Sequence, residues 1–179
     1  MELQDELFTN PQIDIAHLPM ADKLEVIRLE PAYRWVRYLS SALAGLGIIT
    51  FAFLFVMVEP QLRDYTLPSF LFLVVLCIWN VIYHGISFRY MGYAIRERDV
   101  TYISGWLWKN VITVPFNRVQ HCDIKQGLID RQFGLSRLTV YTAGGQHTDL
   151  VIPGLLPDTA EKLKTFILHA TEGAVERAK

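Results

Sequence analysis

Two uncharged stretches constrain this 179-residue chain more than anything else in its sequence. Residues 39–58 (LSSALAGLGIITFAFLFVMV) carry no charge, and in residues 67–88 (LPSFLFLVVLCIWNVIYHGISF) only His84 is ionisable. A helix rising about 1.5 Å per residue covers roughly 30 Å in twenty residues, the thickness of a bilayer's hydrocarbon core. Helices of soluble proteins are seldom apolar all round over such lengths. Both stretches are therefore expected to cross a membrane. Residues 59–66, with Pro60 at the turn, join them into an antiparallel hairpin.

The flanking charges orient that hairpin. Lys23, Arg28, Arg34 and Arg37 precede the first span, Arg89, Arg96 and Arg98 follow the second, and the connecting loop holds Arg63 alone. Basic residues accumulate on the cytoplasmic side, so both termini are expected in the cytoplasm and the chain in the inner, cytoplasmic membrane. Tyr33, Trp35, Tyr38, Phe88 and Tyr90 sit where an inner aromatic belt belongs, and Tyr65 where an outer one does. The first long apolar run begins only near Leu39 and no basic segment opens the chain, so no cleavable signal peptide is read. Cys77 lies in the second span and Cys122 in the later, polar half. A bridge between them would drag that half into the bilayer, so both are expected to be free thiols.

Asn80 and His84 are four residues apart, hence on one helical face of the second span, with Tyr83 beside them. Ionisable groups at such depth are candidates for function. The plainer reading, which we favour, has His84 near the cytoplasmic interface and Asn80 bonding across to the first helix. Ser41 and Gly45 add a small-residue face suited to close helix packing.

From Met91 the pattern changes to short, β-branched runs separated by turns: 93–96, 100–103, 110–116, 118–126, 136–142 and 147–152. Ala143-Gly144-Gly145-Gln146 is a hairpin signal between the last two. Residues 127–134 (GLIDRQFG) read as one helical turn or a wide loop. Beyond Pro153-Gly154, Asp158 and Glu161 resemble a capping box, and Leu163, Phe166, Ile167 and Ala170 form one apolar helical stripe. Antiparallel strands followed by one amphipathic helix imply a curved sheet or open barrel closed by that helix. The organisation expected is a cytoplasmic N-terminal segment (1–38), acidic at first and basic near the membrane, then a span (39–58), an extracytoplasmic loop (59–66) and a second span (67–88). A β-rich domain (89–172) and a short tail (173–179) complete it. The domain with its tail has twelve Lys or Arg against nine Asp or Glu, while residues 1–22 hold five acids and no Lys or Arg.

One ordered set of short motifs carries a resemblance. Gly105, Lys109, Ile112-Thr113-Val114-Pro115 and Arg118-Val119-Gln120 are followed by Gln126-Gly127-Leu128, Phe133-Gly134-Leu135 and Thr142-Ala143-Gly144-Gly145. Over about residues 88–170 this resembles the bacterial pleckstrin-homology (PH) domain of the membrane-flanked class. The resemblance implies an α+β membrane protein: a two-helix transmembrane hairpin, then a PH-like barrel of two nearly orthogonal antiparallel sheets with a C-terminal capping helix. Seven strands are usual in that fold, and the sequence shows six. The resemblance also implies no enzymatic activity, no cofactor, and assembly as homo-oligomers or with a related multi-domain PH-like membrane protein. It does not explain the acidic start.

The residues themselves point the same way on chemistry. His121-Cys122-Asp123 has metal-ligand types, but no partner cluster with ligand spacing exists elsewhere. Gly144-Gly145 is not part of a phosphate-binding loop, and no nucleophile motif appears. A net charge of +3 over residues 89–179 offers no basic stripe for nucleic acid. The segment Ser104-Gly105-Trp106-Leu107-Trp108-Lys109-Asn110 is more informative. Trp106 and Trp108 suit a lipid interface and Lys109 a lipid phosphate, with Arg96 and Arg98 as further candidate contacts; the alternative packs the tryptophans into the core or a subunit contact. Three roles follow: protein interaction and assembly at the membrane face, direct anionic-lipid binding or sensing, and an accessory part in a transport or membrane-stress complex that would use Asn80 and His84.

Overall fold

The computed structural model describes residues 25–58, 66–143 and 150–176. A two-residue strand β1 (Ile27–Arg28) comes first, followed by the helices α1 (Tyr33–Val58) and α2 (Thr66–Phe88). Strands β2 (Gly92–Ile95), β3 (Asp99–Ser104) and β4 (Asn110–Pro115) come next, then a 3-10 turn at Phe116–Arg118. The chain continues through β5 (Val119–Lys125), α3 (Leu128–Gln132), β6 (Ser136–Thr142), β7 (Leu150–Leu155) and α4 (Pro157–Glu176). The architecture is α+β, as expected.

Both long helices are apolar enough to cross a membrane, and no residue of either apolar window is buried by protein. Phe51 is 72% exposed and Leu67 79%. Such side chains face no protein, so lipid is the medium that covers them. The helices pack on each other through small residues. Gly45 approaches Cys77 so closely that a Cβ there would stand 3.1 Å from its Sγ. α1 also runs back over residues 33–38, ahead of the uncharged stretch.

All strand pairs are antiparallel, in a four-stranded sheet ordered β1-β2-β3-β4 and a three-stranded sheet ordered β5-β6-β7. The seventh strand of the PH-like fold is thus present, and it comes from ahead of the first span. Ile27 pairs with Tyr93 and Arg28 with Gly92, so the membrane hairpin is an insertion between two adjacent strands of one sheet. Two residues are too few to show a strand's alternation, which is why the sequence shows six.

The core lies between the sheets and α4. Val100, Tyr102 and Val114 enter it from the first sheet, and Val119, Cys122, Leu138, Val140, Leu150 and Ile152 from the second. Thr101, fully buried, meets Thr113 across the strands, with 2.9 Å between the hydroxyl oxygens. Ala160, Leu163, Ile167 and Ala170 are the stripe by which α4 packs on the core. Phe166 is 46% exposed and sits at its border, with its ring edge-on to Phe116 at 6.0 Å. α4 begins at Pro157, where a missing N–H costs nothing, and Asp158 falls inside the first turn rather than at the cap. Residues 127–134 include a single helical turn, α3, held by Asp130, whose carboxylate accepts the Gly127 N–H at 3.1 Å and pairs with Arg137. β7 runs on to Leu155, past the expected end at 152. The hairpin signal from Gly144 on, and residues 147–149, lie outside the described residues, as do the acidic start and most of the loop between the spans.

Candidate functional site at the membrane end of the domain

Strand register decides which loops lie near the hairpin. α2 ends at Phe88, β2 starts at Gly92, and Gly92 is paired with Ile103 near the end of β3. The β3–β4 turn, residues 105–109, is therefore at the end of the sheet from which α2 emerges. The β2–β3 turn, residues 96–98, is at the other end, a strand length of some 20 Å away.

This splits the lipid-contact residues suggested by the sequence. Trp106, Leu107, Trp108 and Lys109 occupy the turn at the hairpin end, outside either strand, and all four are exposed. Trp108 is 77% exposed and Trp106 40%, so neither belongs to the core. The tight return is possible because Gly105 has φ +94, and a Cβ on it would collide with the Trp108 carbonyl oxygen. Arg96 and Arg98 lie in the distal turn, where the Arg96 side chain stands 3.4 Å from an Asp99 carboxylate oxygen and the Arg98 carbonyl accepts the Phe116 N–H.

Asn80 and His84 are both engaged with α1. The Ser41 hydroxyl donates to Asn80 Oδ1. Arg37 donates to His84 Nδ1 at 2.6 Å and to Met91 Sδ at 2.9 Å. A guanidinium has only donors, so Nδ1 is the acceptor in that pair. One arginine at the foot of α1 thereby holds α2 and the approach to β2 at Met91.

The root of the hairpin is where the chain passes between membrane and domain. Leu29 is 3% exposed within the domain core, with Tyr33 against it from the first turn of α1. The Glu30 N–H donates to the Gly154 carbonyl at 3.1 Å, tying this crossing to β7, and an Arg28 guanidinium N–H donates to the Arg89 carbonyl, tying it to the other crossing. Arg28, Leu29, Pro31, Phe88, Arg89 and Met91 line a groove of about 370 Å³ there. From the sequence, Arg28 and Arg89 count only as flanking charge. Their convergence follows from β1 pairing with β2, which no local pattern shows.

Burial dominates the electrostatics of the domain interior. It raises the Tyr102 hydroxyl above its usual range and, with the Glu30 carboxylate adding to it, that of Tyr93. It pushes the Cys122 thiol up to about 11. Cys77 and Cys122 are both free. His121 stacks on Tyr141 with ring centroids 4.2 Å apart, and Lys125 donates to the Tyr141 hydroxyl at 2.7 Å.

Comparison with known proteins agrees with this arrangement. Two transmembrane proteins of Bacillus subtilis (strain 168) are similar to the chain. YdbT is 27% identical over 42% of this chain and 16% of its own length. YdbS is 31% identical over 42% of this chain and 45% of its own length. The chain thus spans less than half the length of either relative. No solved structure matches significantly. The family model described as bacterial PH domain matches residues 38–171, taking in both spans and the sheets and stopping short of β1. On that match the chain, a membrane hairpin inserted into a two-sheet domain, belongs to the bacterial PH domain family.

Proposed function

We propose that the chain is a non-enzymatic, membrane-anchored interaction module that holds its PH-like domain at the cytoplasmic face of the inner membrane, where it engages another membrane-bound domain of its own kind. The partner is a second copy or a longer relative with several such domains. The observation that carries this reading is the insertion of the hairpin between β1 and β2, which makes the domain's pose at the bilayer a property of its own core. A domain confined to a thin layer meets neighbours in that layer at high effective concentration. A sheet edge supports it further. Among the described residues β4 is the last strand of the four-stranded sheet, with Val111 and Thr113 exposed, and an edge strand of this kind can pair with a strand from outside. Purification in mild detergent, with mass measured by light scattering across a concentration series, tests the reading. Dimers or larger assemblies, or a co-purifying membrane protein, are expected; monomers throughout with no partner would exclude it.

A second reading, anionic-lipid contact by the β3–β4 turn, is favoured by the exposure of Trp106, Leu107, Trp108 and Lys109 at the hairpin end of the sheet. Indole rings prefer the headgroup region and an ammonium prefers lipid phosphate. With Trp35 and Trp79 replaced by Phe in the full chain, so that Trp106 and Trp108 alone fluoresce, brominated lipids in the vesicle should quench the emission. Emission unchanged by the brominated lipids would remove this role.

A further inference from the structure

The groove at the root of the hairpin differs from both surfaces just described. Its walls are apolar, formed by Leu29, Pro31, Phe88 and Met91, and the two arginines Arg28 and Arg89 complete its lining. We propose that it binds the headgroup of one anionic glycerophospholipid, which joins the two crossings between membrane and domain. Neither the β3–β4 turn nor self-assembly is required for this.

Depth is the first argument. Phe88 is the last residue of α2, four residues and about 6 Å beyond His84, and Tyr90 just past it is exposed. The uncharged part of α1 starts at Leu39, beyond Arg34 and Arg37. The groove thus lies outside the hydrocarbon layer, on the level where phosphates and glycerol esters are found.

Charge is the second. Arg28 spends one N–H on the Arg89 carbonyl and keeps further donors. Among the described residues the Arg89 side chain has no ion-pair or hydrogen-bond partner. Glu30, the acid nearest in sequence, is not part of the lining. Planar guanidiniums suit phosphate oxygens, two donors to each group. A zwitterionic headgroup brings its own ammonium against that pair, so an anionic lipid is selected.

Wall chemistry is the third. Pro31, Phe88 and Met91 give a free phosphate nothing, whereas the glycerol backbone and first methylenes of a lipid cover them. One wall belongs to the segment between β1 and α1, and the other to the segment between α2 and β2. A lipid seated there touches both, and so stabilises the domain on the hairpin by binding the folded state alone.

Native mass spectrometry and thermal unfolding of the full chain in detergent, with phosphatidylglycerol or phosphatidylcholine added, test this. Wild type should keep one phosphatidylglycerol under activation that strips phosphatidylcholine, with a preference of roughly ten-fold, and should melt higher with the anionic lipid. Arg28→Gln/Arg89→Gln should lose most of that preference, while Trp106→Phe/Trp108→Phe keeps it. Glycerol 3-phosphate at the same concentration should not raise the melting temperature. Absence of a preference in wild type would overturn the proposal whether or not the arginine variant folds. So would a preference unchanged in that variant, or equal stabilisation by glycerol 3-phosphate.

Discussion

At Gly92 the backbone of β1 lies where a side chain would go. A Cβ there would meet the Val26 side chain and stand 2.7 Å from the Ile27 carbonyl oxygen, both parts of the segment that forms the sheet's first strand. Gly92→Ala should therefore push β1 off the sheet and cost roughly 1–3 kcal/mol in denaturant unfolding. Gly47→Ala, where nothing lies within 4 Å, should be neutral or slightly favourable. A second residue-scale expectation concerns pH. The Cys122 thiol ionises near 9 in an unfolded chain and near 11 when buried. Between those values the unfolded state has released a proton that the folded state still holds, so stability falls as pH rises from about 9 towards 11. Tyr93 and Tyr102, also raised by burial, continue the loss from their ordinary value of 10 upward. Cys122→Ala should lower stability at pH 8, yet show a shallower decline between pH 8 and 10 in urea unfolding curves.

Among the elements, β1 has an influence out of proportion to its two residues. It closes one edge of the four-stranded sheet and leads into Leu29, a core residue. A fragment starting at Met91 lacks both, together with Tyr33, and so exposes core surface. Joining residues 25–32 through a short flexible linker to residue 88 onward should restore a cooperative melt to that fragment. If the linked and unlinked fragments melt alike, β1 is dispensable. Leu29→Ala in the full chain should cost about 2–5 kcal/mol, the range for emptying a leucine site in a packed core. These elements also mark how far a sequence reveals its fold. The spans were legible because twenty uncharged residues in a row suit a membrane helix and little else, and β2 to β7 because β-branched residues alternate between turn residues. β1 was not, since a two-residue strand is stabilised by partners remote in the chain. The exposure of Trp106 and Trp108 was not, because alternation cannot tell a strand face from a turn tip. The separation of Arg96 and Arg98 from that tip depends on which end of β3 faces the hairpin, and register is a property of pairs. The groove at Arg28 and Arg89 depends on the same pairing.

The whole molecule couples these features to sidedness, and that yields the last prediction. If both termini are cytoplasmic, a cysteine at Arg63, between the spans, faces the opposite side from one at Thr159 on α4. The two native cysteines leave such an experiment readable. Cys122 is buried with a thiol pushed up to about 11, so little thiolate exists near pH 7, and Cys77 belongs to α2 among lipid-facing residues. A membrane-impermeant maleimide applied to intact cells should label Arg63→Cys and leave both wild type and Thr159→Cys unmodified. Lysis should expose Thr159→Cys. Labelling of Thr159→Cys in intact cells would invert the hairpin, placing the Trp106–Lys109 turn and the Arg28–Arg89 groove against the outer surface of the membrane. The groove would still be a lipid site there, since its chemistry depends on depth and not on side. A second copy would invert with it and still reach the edge of β4, whereas a longer relative whose domains are cytoplasmic would be cut off by the bilayer, so the inverted hairpin would leave self-assembly as the one pairing of the two.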